Sequence, residues 1–329
     1  MKIAIIGVGA IGGYMAVKLA LAGEDITLIA RGANLDALRT RGLRLINVDG
    51  TEEHVAHVKA TDSCAAAGPQ DLVIIAVKAH QLEAVAADIA PLLGPGTIVV
   101  PMQNGIPYWY FHGYQGPLAG TRVKCVDPTG IIYDKIPCER VIGCVVYLAG
   151  AALAPGVIKH LEGQRCPIGE PDGSNSERVA KVSQCFVKGG LQAPVLGDIR
   201  AEIWFKLWGN LTFNPISALT RATLVAMCQY PLTRTIAAAM MVEAQTVAGK
   251  LGVTFRVPLE ERILVAERVG HHKTSMLQDL EAGRAMETEA LIGSVVELAR
   301  LTGTPTPHID TVYALTKLLG ETAARALKL

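Results

Sequence analysis

Three polar side chains recur at helical spacing in an otherwise apolar stretch of this 329-residue chain. Lys206, Asn210 and Asn214 follow the i, i+4, i+8 pattern that places side chains along one face of a helix. An ammonium and two amides are costly to bury unless hydrogen bonds satisfy them. Either nearby backbone groups bond to them or they line a polar cavity, and three in a line favour the cavity.

A glycine-rich motif near the N-terminus predicts a dinucleotide site. Gly7, Gly9 and Gly12 form G-x-G-x-x-G between the apolar run Ile3–Ile6 and a helix pattern. The first glycine permits a tight turn, the second lets a pyrophosphate approach the backbone, and the third lets the helix pack on the strand. The helix start offers free N–H groups to the phosphates. The expected cofactor contacts here are Gly7, Val8, Gly9, Ala10, Ile11 and Gly12.

The second predicted strand, Asp25–Ile29, leads into Arg31. A site for NAD usually carries Asp or Glu here, which accepts hydrogen bonds from the ribose hydroxyls. A guanidinium instead binds a 2′-phosphate through paired charge-assisted hydrogen bonds. Arg31 therefore predicts NADP(H) over NAD(H), although a solvated arginine at a strand end would look the same.

Strands alternate with helices over the first half of the chain, which indicates a parallel, doubly wound sheet. The run Asp71–Val77 is almost wholly apolar, as expected for a strand covered on both faces, and Thr97–Met102 is the next strand. Lys78 and Asn104 lie just beyond these two strands. Because such sheets bind ligands at the carboxyl ends of their strands, both are candidate cofactor contacts.

From Asp198 onwards long helical patterns replace the strands. We expect an α/β, Rossmann-type domain over residues 1–197 and an all-helical C-terminal domain over residues 198–329 for substrate and catalysis. In the first domain we also predict a helix over residues 81–93 that ends at Gly94-Pro95-Gly96, a hairpin of residues 156–160 and 164–168, and a last strand over residues 193–196.

The segment Tyr108–Tyr114 is dense in aromatic residues and follows Asn104 closely. A packed hairpin or an oligomer contact is favoured slightly over a lid on the substrate. A lid would let these rings decide which substrate enters.

Composition narrows the function classes. The formal net charge is +1 without long runs of one sign, which argues against a nucleic-acid or membrane-surface role. Seven scattered cysteines without C-x-x-C favour reduced thiols in the cytoplasm. His271-His272 has no third residue at metal-ligand spacing, so no metal is predicted. The apolar helical part is compatible with a homodimer.

The motifs together resemble the ketopantoate reductase family over nearly the whole chain. The residues that carry the resemblance are GVGAIGG, Arg31, VKAHQ around Lys78, QNG around Asn104, WFKLWGNLTFNPISALT around Lys206, and SMLQDLEAGRAMETE around Ser275 and Glu287. The resemblance implies an NADPH-binding Rossmann domain, a helical C-terminal domain, and reduction of ketopantoate to pantoate on the route to pantothenate and coenzyme A.

The resemblance also implies residue roles. Lys206 matches the catalytic lysine, and Glu287 the glutamate that organises substrate and nicotinamide; spacing alone would not select Glu287. The matches to substrate contacts are Asn104, Lys206, Asn210, Asn214 and Ser275, and the matches to cofactor contacts include Lys78, Asn104 and Glu287. A lysine ammonium can donate the proton to the reduced carbonyl, and general acid catalysis of this kind contributes about 10²–10⁴-fold. A carboxylate beside Lys206 would stabilise that charged form.

Two departures from the family pattern bear on the substrate. The aromatic segment lengthens the loop after Asn104, and Thr220–Val225 replaces a glycine-containing pair that many members carry. A reductase of another 2-oxo acid therefore stays open as an alternative. A non-catalytic NADP(H)-binding protein is disfavoured, because a sensor needs no proton donor.

Replacing the guanidinium tests the cofactor prediction. Hydrogen bonds to charged groups contribute about 1.5–3 kcal/mol each, so Arg31→Ala should weaken NADPH binding about ten-fold or more. Titration of nicotinamide fluorescence measures the dissociation constant. An unchanged NADPH affinity would contradict the role given to Arg31.

Overall fold

The computed structural model describes residues 1–326 and divides into two compact units. The first, here called the sheet unit, comprises residues 1–103, 108–122 and 129–199. The second, here called the helical unit, comprises residues 104–107, 123–128 and the chain from Arg200 on. The sequence-based division at residues 197 and 198 stays a prediction, and it did not anticipate the two short segments of the helical unit.

The strands all lie in the sheet unit. In chain order they are β1 (Lys2–Ile6), β2 (Asp25–Ile29), β3 (Leu43–Ile46), β4 (Glu52–Val55), β5 (Lys59–Thr61), β6 (Gln70–Ile75), β7 (Leu93–Pro101), β8 (Gly143–Cys144), β9 (Tyr147–Ala154), β10 (Val157–Arg165) and β11 (Ile168–Gly169). Five of them form a parallel sheet in the order β5-β2-β1-β6-β7. This order confirms the Rossmann-type, doubly wound prediction.

The helices divide between the units. Those of the sheet unit are α1 (Ala10–Leu21), α2 (Gly32–Arg41), α3 (Cys64–Ala67), α4 (Leu82–Asp88), α5 (Ile131–Lys135) and α6 (Glu177–Lys188). Those of the helical unit are α7 (Ile199–Thr220), α8 (Leu224–Gln229), α9 (Pro231–Lys250), α10 (Leu259–Arg268), α11 (Ser275–Glu281), α12 (Ser294–Leu301) and α13 (Pro307–Ala326), with a π-helical turn at Glu289–Gly293. Ile199 itself, the first residue of α7, falls in the sheet unit. In residues 1–326, no helix has both the length and the apolar character needed to cross a membrane.

The strand β7 corrects one prediction. It begins at Leu93, which pairs with Gln70, so Gly94-Pro95-Gly96 belongs to the strand rather than to a loop. Arg140 Nη1 donates to the carbonyl oxygens of Gly94 and Thr97, which satisfies the backbone there. The preceding helix is correspondingly shorter than predicted.

The hairpin prediction was also wrong in register. The strands β9 and β10 pair antiparallel, so the turn lies at Pro155-Gly156, not between residues 160 and 164. Gly163 has φ +71°, but it does not form the hairpin turn. It lies within β10, where the pairing register shifts. The last predicted strand, residues 193–196, makes only an isolated bridge from Val195 to Ile168.

The aromatic segment is part of the core of the sheet unit. Tyr108, Trp109, Tyr110 and Phe111 are all at most 3% exposed. The Trp109 ring packs so closely on Gly143 that a Cβ there would lie 2.6 Å from it. Rings buried to this extent serve packing, so the lid interpretation is wrong for them.

Candidate active site

The glycine loop has the geometry that its sequence predicts. Gly7 has φ +89°, and a Cβ on it would lie 2.6 Å from Val77 Cγ1. A Cβ on Gly12 would collide with the carbonyl oxygen of Gly7, so α1 packs directly on the turn. A Cβ on Gly9 would meet nothing within 4 Å, which leaves this backbone open to a ligand just before α1 begins.

This loop opens onto a cavity of about 1320 Å³ inside the sheet unit. Of the predicted cofactor contacts, Gly7, Val8, Gly9 and Arg31 line it. Ala10, Ile11 and Gly12 form the first turn of α1 instead. The cavity takes the rest of its wall from the ends of β1, β2 and β6, from α3 and α4, and from the tip of the β9–β10 hairpin. We call this cavity the groove.

Asn34 is a groove residue that the sequence reasoning missed. Its Nδ2 donates to the Val8 carbonyl oxygen at 2.9 Å, and its Oδ1 accepts from the Gly156 amide at 2.9 Å. One amide thus ties the glycine loop to the hairpin tip. Its position three residues after Arg31 was the available signal in the sequence.

Arg31 lies between β2 and α2 and lines the groove, and its contact with the cofactor stays a prediction. Its Nη2 lies 3.6 Å from Asp88 Oδ2, and both side chains are largely exposed. Cys64 lies nearby; burial raises the pKa of its thiol, the Asp88 carboxylate adds to this shift, and Arg31 opposes it. A thiol in this state is protonated, so it is a poor nucleophile.

The side chain of Gln103, next to the predicted cofactor contact Asn104, connects the ends of β6 and β7. Gln103 Nε2 donates to the carbonyl oxygens of Ile75 and Val77, at 2.9 Å each. Lys78 follows in a half-buried position, and its backbone amide donates to Gln81 Oε1 at 3.1 Å. Lys78 does not line the groove, so its contact with the cofactor stays a prediction.

The predicted polar line lies on α7 in the helical unit. Trp204, Leu207 and Trp208 are at most 1% exposed, which fixes how the helix is oriented in its core. Lys206 Nζ donates to Asn104 Oδ1 at 2.6 Å, and Asn214 Nδ2 donates to Ser275 Oγ at 3.4 Å. Four of the predicted substrate contacts therefore meet in pairs. Asn210, the fifth, is half-buried on the same helix.

A close backbone contact holds Asn104 in place. The next residue, Gly105, has φ +91°, and a Cβ on it would collide with the carbonyl oxygen of Ala290. That oxygen accepts from the Ile106 amide at 3.2 Å. Ala290 lies in the π-helical turn that follows Glu287, a side chain only 6% exposed. The spacing between Glu287 and Lys206 stays a prediction.

The described residues, 1–326, contain no group of His, Cys, Asp or Glu side chains that could hold a metal ion. The seven cysteines are free thiols. Burial raises the pKa of Cys185 and of Cys228 to about 11.

A Rossmann-type sheet whose glycine loop opens onto a groove, together with a lysine held among amides, defines a dinucleotide-dependent oxidoreductase. The family profile for ketopantoate reductase PanE/ApbA matches residues 3–173, and the profile for the C-terminal part of that family matches residues 198–320. The chain belongs to the ketopantoate reductase family.

Individual relatives agree with this assignment. A 2-dehydropantoate 2-reductase from Mesorhizobium japonicum is 56% identical over 97% of this chain and 98% of its own. A solved structure from Ralstonia solanacearum, assigned as a ketopantoate reductase, has a TM-score of 0.93, 47% identity and 98% coverage of both chains. A D-mandelate dehydrogenase solved with NADH and anilino(oxo)acetate covers 98% of this chain and 99% of its own, with a TM-score of 0.83. At 22% identity it shows a shared fold alone.

Asn34→Ala tests whether the amide between loop and hairpin shapes the groove. The change leaves the Val8 carbonyl and the Gly156 amide without this partner, at a cost of about 1–3 kcal/mol. We expect NADPH affinity to fall about ten-fold, measured by fluorescence titration. Asn175→Ala, an exposed position outside the groove, is the control. Equal affinities for both variants would remove Asn34 from the site.

Proposed function

We propose that this chain reduces 2-dehydropantoate, also called ketopantoate, to pantoate with NADPH, on the route to pantothenate and coenzyme A. The observation that carries the proposal is the 2.6 Å hydrogen bond from Lys206 Nζ to Asn104 Oδ1, on a helix face shared with Asn210 and Asn214. The 56% identity to a 2-dehydropantoate 2-reductase supports the same reaction.

The groove of the sheet unit fits a dinucleotide. Gly9 leaves the backbone open where a pyrophosphate would bind, and α1 begins there with amides free to donate. Arg31 is the cation for a 2′-phosphate. We assign residues 1–197 to cofactor binding and residues 198–329 to substrate and catalysis, with Lys78, Asn104 and Glu287 as further cofactor contacts. When bound, NADPH supplies the hydride.

Lys206 supplies the proton. Asn104 Oδ1 accepts a hydrogen bond from the Lys206 ammonium, which fixes the position of Nζ. Once hydride reaches the C2 carbonyl carbon, the electron pair of the C=O bond moves to oxygen, and Lys206 donates a proton to that oxygen. The product is a secondary alcohol and the lysine is left neutral. An ammonium also stabilises the charge that develops on the oxygen before transfer.

The remaining polar groups bind and orient the substrate. Asn210 and Asn214 can donate to substrate oxygens without competing as acids. The Ser275 hydroxyl, already within 3.4 Å of Asn214 Nδ2, can donate to a carboxylate. Glu287 is assigned to organising substrate and nicotinamide.

A second candidate is reduction of a different 2-oxo acid, and one residue after α7 favours it. Arg221 has φ +61°, in the left-handed region that favours glycine, and its side chain is exposed. It follows Asn214 by seven positions, about 10 Å along the helix axis. A cation there would favour a substrate with an additional anionic group. A cytoplasmic location and a homodimer through the helical unit stay predictions.

Turnover with a substrate panel distinguishes these functions. Oxidation of NADPH is followed by absorbance after addition of ketopantoate, pyruvate, 2-oxoisovalerate or 2-oxoglutarate, the last of which carries a second carboxylate. We expect fast turnover restricted to ketopantoate. Turnover of a different 2-oxo acid would support the second candidate, and NADPH binding without any turnover would identify a non-catalytic protein.

Lys206→Ala tests the proton donor. We expect kcat/KM to fall at least 100-fold, because general acid catalysis contributes about 10²–10⁴-fold. Lys206→Arg should stay impaired, since a guanidinium keeps the charge but does not release its proton readily. Lys181→Ala, an exposed position on α6, should leave kcat/KM unchanged. A near-native Lys206→Ala enzyme with an unaltered circular dichroism spectrum would overturn the mechanism.

A further inference from the structure

A pair of opposite charges stands in the wall of the groove, at the residue assigned to the 2′-phosphate. Arg31 Nη2 and Asp88 Oδ2 are 3.6 Å apart, and the two side chains are 72% and 66% exposed. Both line the groove, Arg31 from the end of β2 and Asp88 from the end of α4. The carboxylate therefore competes for the cation that a 2′-phosphate needs.

Helix stability does not explain an aspartate at this position. Asp88 is the last residue of α4, where the carbonyl ends of the helix carry partial negative charge. A carboxylate there is repelled by the helix dipole, so its favourable interaction is the one with Arg31.

The charges that line the groove make the competition stronger. Asp62 and Asp88 contribute carboxylates to the wall, whereas Arg31 contributes a guanidinium, with His80 as a further titratable group. A phosphate monoester carries about −1.5 to −2 charges at pH 7. Its binding to Arg31 brings the phosphate close to the Asp88 carboxylate, which repels it and shares the same cation. A cofactor with a free 2′-hydroxyl leaves the ion pair intact.

We propose that Asp88 determines cofactor specificity: it pairs with Arg31 when no 2′-phosphate is present and thereby lowers the preference for NADPH over NADH. This inference rests on the proposed function through two assignments: the groove to a nicotinamide dinucleotide, and Arg31 to its 2′-phosphate. It predicts that the preference for NADPH over NADH, measured as the ratio of their dissociation constants, is smaller in the natural chain than in a chain that keeps Arg31 but lacks the Asp88 carboxylate.

Direct binding measurements on Asp88→Asn test the inference without turnover. Dissociation constants for NADPH and NADH are measured by calorimetry at low ionic strength. We expect NADPH to bind about three- to five-fold more tightly, near the upper end of what an exposed charge pair contributes. NADH affinity should stay within about two-fold, which also shows that the variant is folded. The gain should shrink in about 0.5 M salt, where exposed charges are screened.

Two further variants isolate the pair. Asp36→Asn removes the same charge from the exposed face of α2, outside the groove, and should change neither affinity. In an Arg31→Ala background, Asp88→Asn should lose most of its effect, because the cation that it frees is gone.

The outcomes separate this inference from the proposed function. If Asp88→Asn leaves the ratio of the two affinities unchanged while Arg31→Ala weakens NADPH, the inference is overturned and the cofactor assignment stands. If neither Arg31→Ala nor Asp88→Asn changes NADPH binding, the assignment of Arg31 to the 2′-phosphate fails, and the inference fails with it.

Discussion

The hydrogen bond from Lys206 to Asn104 connects parts of the helical unit that are 102 residues apart in sequence. An ammonium among apolar helices needs a partner, because an unpaired charge there is costly. Asn104 provides a neutral acceptor, which satisfies one N–H of the side chain without adding a charge beside it. A carboxylate at the same place would pair with the ammonium more strongly and hold it away from a substrate.

Keeping Asn104 in place constrains the backbone around it. Gly105 reaches the carbonyl of Ala290 at a distance that no side chain would permit, in a conformation that favours glycine. The second short segment of the helical unit is held by Glu297, whose carboxylate oxygens accept from the amides of Lys124 and Cys125 at 2.8 and 2.7 Å. The chain thus enters the helical unit twice before α7. Each time its backbone amides donate hydrogen bonds near the π-helical turn, first to the Ala290 carbonyl and then to the Glu297 carboxylate. Such turns occur often at functional sites.

What could be predicted from the sequence depends on how local each determinant is. The glycine loop and the line of Lys206, Asn210 and Asn214 were predictable because each lies within a few turns of one helix. The contact between Asn104 and Lys206 was not, because no periodic pattern relates residues so far apart. The position of the hairpin was not predictable because a glycine at a bulge, such as Gly163, and one at a turn look alike in sequence. Asn34 was missed because its role depends on Gly156, which lies 122 residues away in sequence. The pairing of β10 with β3 places Gly156 next to Asn34.

In the proposed assignment the two units would recognise their ligands by different means, and this bears on how substrate and cofactor preference can vary. In the sheet unit the loop offers main-chain groups at Gly7 and Gly9, which most substitutions elsewhere leave untouched. In the helical unit the proposed substrate contacts are side chains such as Asn214 and Ser275, which a single substitution can alter. Substrate choice can therefore change while dinucleotide binding is kept. Within the sheet unit, the proposed determinants of the choice between phosphorylated and unphosphorylated cofactors, Arg31 and Asp88, are side chains. The pairing of Arg31 with Asp88 is therefore where we expect cofactor preference to be adjusted without disturbing the fold.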